Sequence, residues 1–201
     1  MVSEARAALR SAVLAVVDRD GAGRLDHAAV ATAAGIDVGV VRAAVPSSDG
    51  LADLVVEAIV AESPPPPTAA PGGWGSALRL IGLGHRATLL EHPNALGIVA
   101  RRPVRTVQGL DVVERHLAAL AAGGLDAPYA LAALNAVVVW THGYVMAELG
   151  AEGLAIEGAD DRDGHPHLSR ALASTTWGLP DGEFVFGLDA LIEGLRADLH
   201  A

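Results

Sequence analysis

GIDVGVVRAAVPSS, Gly35 to Ser48, is the stretch that decides the fold. Gly35 is the residue type that stops a helix. Asp37 offers a side-chain oxygen to the free N–H groups of the helix that follows. That helix carries Val40, Val41 and Val45 and ends at Pro46, because the residue before a proline is pushed out of the α region. Ser48, or Ser47, caps a further helix through Leu51, Leu54, Val55, Ala58 and Ile59. The spacing predicts turn, short helix, turn and longer helix, with Arg42 as its one basic side chain.

Upstream, a first helix is expected from about Glu4 to Val17, ending in the turn DRDGAGRLD. Asp26 caps the next short helix, HAAVATAA. Downstream lies ESPPPPTAAPGG, Glu62 to Gly73, whose four consecutive prolines make a stiff, extended linker or elbow. It divides the chain into a head of residues 1–46, a connection of 47–73 and a larger unit of 74–201. The larger unit again shows helical periodicity, near 76–91, 94–101 and 105–122, the last with Leu110, Val113, Leu117 and Leu120 on one face. A long helix from Pro128 to about Leu149 has the stripe Leu131, Leu134, Val138, His142, Val145 and Leu149. A short helix near 168–177 and a last one from about Gly182 to Leu199 complete an all-α chain.

Composition bounds the rest. The 201 residues are 51% hydrophobic and 19% charged, enough apolar material for a folded core. No cysteine is present, so disulfides and thiolate metal sites are excluded. Aromatics make up 3%, which removes stacked-base recognition. The net charge is -10 and every basic residue is Arg, so phosphate attraction would need a local basic patch. Leu131 to Met146, the most apolar later stretch, is interrupted by Asn135, Thr141 and His142 and falls short of the roughly 18 unbroken residues of a membrane span. A soluble, cytoplasmic protein without a membrane partner is expected. DRDGHPHL, 161–168, brings Asp163, His165 and His167 together, but a loop with a central proline imposes no coordination geometry, so neither metal nor cofactor is expected. Hydrolase, zinc-protease, P-loop and dinucleotide fingerprints do not occur.

Two short helices around a Gly-led turn, with Val30, Ala31, Gly35, Ile36, Val41, Val45 and Leu51 at their spacing, resemble the head of TetR-family regulators. ARRP at 100–103, AGGL at 122–125, ALAALNAV at 130–137, THGYV at 141–145 and EFVFGLDALIEGL at 183–195 are similar to the tetracycline-repressor branch of that family. The resemblance implies a helix-turn-helix head, a helical body around a ligand pocket, and a homodimer through the helices near 128–149 and 182–199. The bottom-up pattern agrees with a dimer, since two long apolar stripes exceed what so short a chain can cover, and Gly143, Gly187 and Gly194 permit close helix approach. Mixed dimers with a DNA-competent relative are an alternative.

By the same resemblance the head has lost contact chemistry. The family's phosphate-binding Tyr, His and Lys fall on Arg42, Ala44 and Ser48, and its basic second helix on Ala28 and Ala29. Residues 1–62 hold five Arg against nine acids, a net of -4. Arg24, Asp37, Val38, Arg42 and Ser48 are the residues left to meet DNA, and binding is expected to be weakened. In the pocket, the family's magnesium-holding His and Glu match Ile98 and Ala147, and its drug-orienting Asn matches Leu80, so a metal–tetracycline chelate is not expected. What remains is Arg102 with Pro103, and His116 where the branch has Gln. His85, His116, Asn135, Val138 and His142 are the other pocket candidates, and a small, largely apolar ligand is implied. His116 and His142 read either as neutral pocket groups or as histidines satisfied in the core. Two functions follow: a ligand-responsive repressor, or a chain released from DNA and reused as an enzyme or binding protein. In the second case His116, His142, Glu148 and Asp111 are the acid–base candidates.

Overall fold

A computed structural model describes residues 2–67, 70–151, 164–172 and 181–199. Among these the only regular secondary structure is helix. The head comprises α1 (Val2–Asp20), a single 3-10 turn at Ala22–Arg24, α2 (His27–Ala34) and α3 (Val38–Ala44). Its boundaries follow from caps. The Asp26 carboxylate accepts from the Ala29 N–H, and Gly35 closes α2 with φ 66°, a left-handed conformation that costs glycine nothing. Asp37 accepts from the Gly39 N–H at 2.7 Å. Val45 lies just past α3, where its carbonyl oxygen meets His27 Nε2 at 2.8 Å and ties the two short helices together.

Ser47, rather than Ser48, caps α4 (Ser48–Glu62). Val13, Val16 and Val17 of α1, Val30, Val41, and Leu51, Leu54, Val55 and Ile59 of α4 pack into one core. Burying each such side chain stabilises by about 1.5–3 kcal/mol. That core does not stop at the head. It continues across α4 onto Leu89, Leu96, Val99 and Val145. Glu57 of α4 is fully buried, and Arg6 holds it from α1 through contacts of 2.9 and 2.5 Å, with Arg10 at 3.5 Å. Burial pushes its carboxyl up, but hydrogen bonds from Arg6 and Thr106 and the charges of Arg6 and Arg10 leave it below the usual glutamate range.

The body comprises α5 (Gly73–Glu91), a 3-10 turn at Pro93–Ala95, α6 (Leu96–Val99), α7 (Val107–Ala122), α8 (Ala127–Ala151), α9 (Pro166–Leu172) and α10 (Asp181–Asp198). A second core gathers Ala77, Leu78 and Ile81 of α5, Leu120 of α7, Leu134 and Val137 of α8, and Phe184 and Leu188 of α10. The proline run is no free tether. Pro66 is buried, and a Cβ on Gly84 of α5 would lie 2.8 Å from Pro64 Cγ.

Several expectations change in detail. The segment near 94–101 is a 3-10 turn followed by a four-residue helix, because Pro93 starts a new turn after α5. The buried row of α7 is Gly109, Val112, His116, Ala119 and Leu120, whereas Leu110 is exposed. The helix is thus rotated by about one residue from the expected face, and His116 stands inside the buried row. On α8, Leu131 is exposed, and Ala130, Ala133, Val137 and Thr141 are buried. By length and composition alone, Ala127–Gly150 is apolar enough to cross a membrane despite its polar interruptions, a test that the core helix of a soluble protein also passes. Those interruptions are absorbed locally: the Thr141 hydroxyl donates to the Val137 carbonyl at 2.8 Å, and His142 pairs with His85. Of the three glycines expected to allow close approach, Gly187 does so within the chain, facing Trp140; Gly143 and Gly194 face open space. Asp161 to Asp163, and the 173–177 end of the predicted short helix, lie outside the described residues.

Candidate functional site: an apolar cavity beneath the head

A cavity of about 450 Å³ opens between α4, α5, α7, α8 and the turn 100–104. Its walls are mostly aliphatic, with Val56 and Val60 from α4, Ile81 from α5, Val112 from α7 and Leu134 from α8. The seven residues expected at a pocket from the sequence, His85, Arg102, Pro103, His116, Asn135, Val138 and His142, all line this one space. Ser63 lines it as well, although in the sequence it reads as the start of the proline linker. No sequence signal marks it, because its role depends on α5 packing beside the end of α4.

Polar groups in the cavity are arranged as a chain. His142 Nε2 lies 2.8 Å from His85 Nε2. His85 Nδ1 lies 3.3 Å from Ser63 Oγ, and that hydroxyl donates to the Ile59 carbonyl at 3.0 Å. Burial, reinforced by the neighbouring His142 and His116, pushes His85 down to about 3. Burial also lowers His142, and burial together with Arg115 lowers His116. The three imidazoles are therefore neutral at pH 7. His116 is 8% exposed, and its Nε2 is buried without a hydrogen-bond partner among the described residues.

Other candidates are placed elsewhere. Asp111 is exposed, and Glu148 is held by Arg86 at 2.5 and 3.1 Å; neither lines the cavity. Among the described residues the lining contains no carboxylate, so acid–base work there would fall to histidine alone. Ile98 packs against the head core, Ala147 and Leu80 are exposed, and none of the three reaches the cavity. The described residues hold no group of three metal-ligating side chains.

Arg102 joins the cavity to the start of α4. It lines the space and reaches Asp49 at 2.5 Å and Asp53 at 3.1 Å on the first turns of α4. The face that would meet DNA is sparse. Arg24 and Arg42 are exposed, Val38 is partly buried against the head core, Ser48 is exposed, and the Asp37 carboxylate occupies the N-terminus of α3. Arg6 and Arg10 are spent on Glu57, and Arg19 pairs with Asp20. Of the five head arginines, Arg24 and Arg42 form no ion pair among the described residues, and Arg24 still lies close enough to Asp20 to favour its charged form.

Solved structures share this architecture. ActR from Streptomyces coelicolor in complex with actinorhodin superposes with a TM-score of 0.74 at 22% identity, over 96% of this chain and 97% of that one. A TetR variant from Acinetobacter baumannii AYE in complex with minocycline gives 0.69 at 23% identity, over 96% and 93%. TetR from the same organism gives 0.65 at 25% identity, over 94% and 95%. No curated protein matches the chain in sequence. The pattern described as the tetracyclin repressor-like C-terminal domain matches residues 66–199. With that pattern spanning the whole body behind a helix-turn-helix head, the chain belongs to the TetR family.

Proposed function

We propose that this protein is a ligand-responsive transcriptional regulator of repressor type, which binds a small, largely apolar molecule in the cavity beneath its head. The observation that carries the reading is Arg102, which is both cavity wall and ion-pair partner of Asp49 and Asp53 on α4. A ligand that displaces the turn 100–104 would pull on the helix that enters the head, and so change the angle between two reading heads. In this reading residues 1–46 form the head, 47–73 the connection and 74–201 the ligand-binding and dimerisation unit. Two copies associate through α8 and α10, whose Leu131, Val139, Met146 and Phe186 are exposed in the single chain. A cytoplasmic site of action accords with a DNA target.

The test is an electrophoretic mobility shift with the protein's own upstream DNA at low salt. A shift that weakens only shallowly with salt is expected, because few cations face the phosphates. Absence of a shift at micromolar protein would overturn the repressor reading. That outcome would favour the second reading, a TetR-like chain reused as an enzyme or binding protein for an apolar metabolite. The neutralisation of Arg6, Arg10 and Arg19 inside the head is the observation on its side.

A further inference from the structure

A second space shares the wall Arg101–Arg102 with the apolar cavity but differs from it in chemistry. It is an open crevice of about 640 Å³ between the 3-10 turn after α1, the start of α4, α6 and the turn that follows α6. Three arginines line it, Arg101, Arg102 and Arg105, against one carboxylate, Asp49. The lining thus carries two positive charges in excess, in a chain whose net charge is -10. Arg101 and Arg105 are exposed, so core packing does not account for the cluster.

The arginines differ in what holds them. Arg101 Nε donates to the Gly97 carbonyl at 2.8 Å, which leaves its two terminal nitrogens to meet a ligand. Gly97 makes the room, since a Cβ there would lie 3.3 Å from Arg101 Nη2. Neither Arg101 nor Arg105 forms an ion pair among the described residues. Arg102 is shared, with Nη2 on Asp49 at 2.5 Å and Nη1 on Asp53 at 3.1 Å. The Asp49 side chain is 82% exposed, and an ion pair in water is weak, so a more highly charged anion can displace it. Ser48 adds a hydroxyl at the first residue of the 15-residue α4, where the helix dipole favours negative charge.

We propose that this crevice is a second ligand site, which binds a small polyanion of the phosphate class. Guanidinium forks match the oxygens of a phosphoryl group, and a ligand with two such groups can engage Arg101 and Arg105 together. The lining has no aromatic side chain, so a stacked base is no part of the recognition. A duplex backbone is convex and meets a crevice only at its rim, which favours a small anion over DNA. Because the anion competes with Asp49 for Arg102, its binding weakens the tie between the turn and α4.

Calorimetry on the full chain at low salt tests this with pyrophosphate, inorganic phosphate and citrate. Pyrophosphate should bind once per chain, about tenfold tighter than inorganic phosphate, the worth of one further charge-assisted contact. Added salt should weaken it. Arg105→Gln changes an exposed side chain that does not line the apolar cavity, and it should cost about tenfold in affinity. Ala52→Glu sets a carboxylate in the crevice and should abolish binding, with an unchanged urea midpoint to show that the variant is folded. Citrate binding tighter than pyrophosphate would overturn the phosphate class. Binding that survives both substitutions would overturn the location. If pyrophosphate does not bind, the site itself fails; a mobility shift of the upstream DNA weakened by Arg105→Gln would then assign the arginines to the duplex backbone. None of these outcomes turns on what the apolar cavity holds.

Discussion

His92 shows how much a single side chain can hold. It follows the last residue of α5, and its ring meets Asp18 of α1 at 2.7 Å through Nδ1 and Glu62 of α4 at 2.8 Å through Nε2. Burial pushes the imidazole down, but the hydrogen bonds and charges of Asp18 and Glu62 outweigh it and raise its pKa above 6.5. Because the folded value lies above the unfolded one, the clamp contributes fully below pH 6.5 and fades as pH rises through the folded value. Urea midpoints against pH should therefore fall on the alkaline side in the wild-type protein. The His92→Gln variant should lose about 1 kcal/mol at pH 6 and show a flatter profile there. A wild-type profile no steeper than that of the variant between pH 6 and 8 would refute the clamp. None of this was visible along the chain, since His92 is 74 residues from Asp18 and 30 from Glu62.

At the scale of elements, α4 is the member through which cavity and head communicate. Arg102→Ala removes its two ion pairs, one of them to the highly exposed Asp49, so the cost in global stability should be small. Amide exchange over residues 49–54 should nonetheless quicken, because the first turns of α4 lose their tie to the turn 100–104. Unchanged exchange there would separate Arg102 from any coupling. The contact of α8 with α10 is more rigid. A Cβ on Gly187 would lie 2.5 Å from Trp140 Cζ2, and Trp140 already packs against Phe184 at 4.9 Å between ring centroids. Gly187→Ala should destabilise by about 1–3 kcal/mol in urea titration, as overpacked cores do. A neutral result would mean that the indole moves at no cost. Helix identities were legible in the sequence because caps such as Asp26, Gly35 and Asp37 act on their own neighbours. Helix faces were less so. Leu110 has the expected hydrophobic spacing, yet it is half exposed at the edge of the cavity, while Val112 and His116 stand in the buried row.

At the scale of the whole molecule, the exposed apolar residues of α8 and α10 argue for a second copy. Met146 is 53% exposed and Phe186 is 77% exposed, and single chains seldom leave such side chains in water on two adjacent long helices. Met146→Glu and Phe186→Glu should shift the protein from dimer to monomer in sedimentation or light scattering. A wild-type monomer, or a dimer indifferent to both changes, would contradict the proposed association. The head, by contrast, shares its core with the body, and Asp37, Arg24 and Arg42 are all exposed on its surface.

What the sequence determined by itself is local and periodic. Caps, prolines and glycines act within a few residues, so the order of helices, the family resemblance and the poverty of the head in basic groups were all readable from it. The cavity residues too could be named one at a time. Only the tertiary structure decided how they meet: that His85 faces His142, that Ser63 contacts His85, that Glu148 is taken by Arg86, and that Arg102 grips α4. These pairs lie between 22 and 62 residues apart. A hydrogen bond needs its atoms within about 3.5 Å and well aligned, a condition that helix packing imposes and that no pattern along the chain encodes.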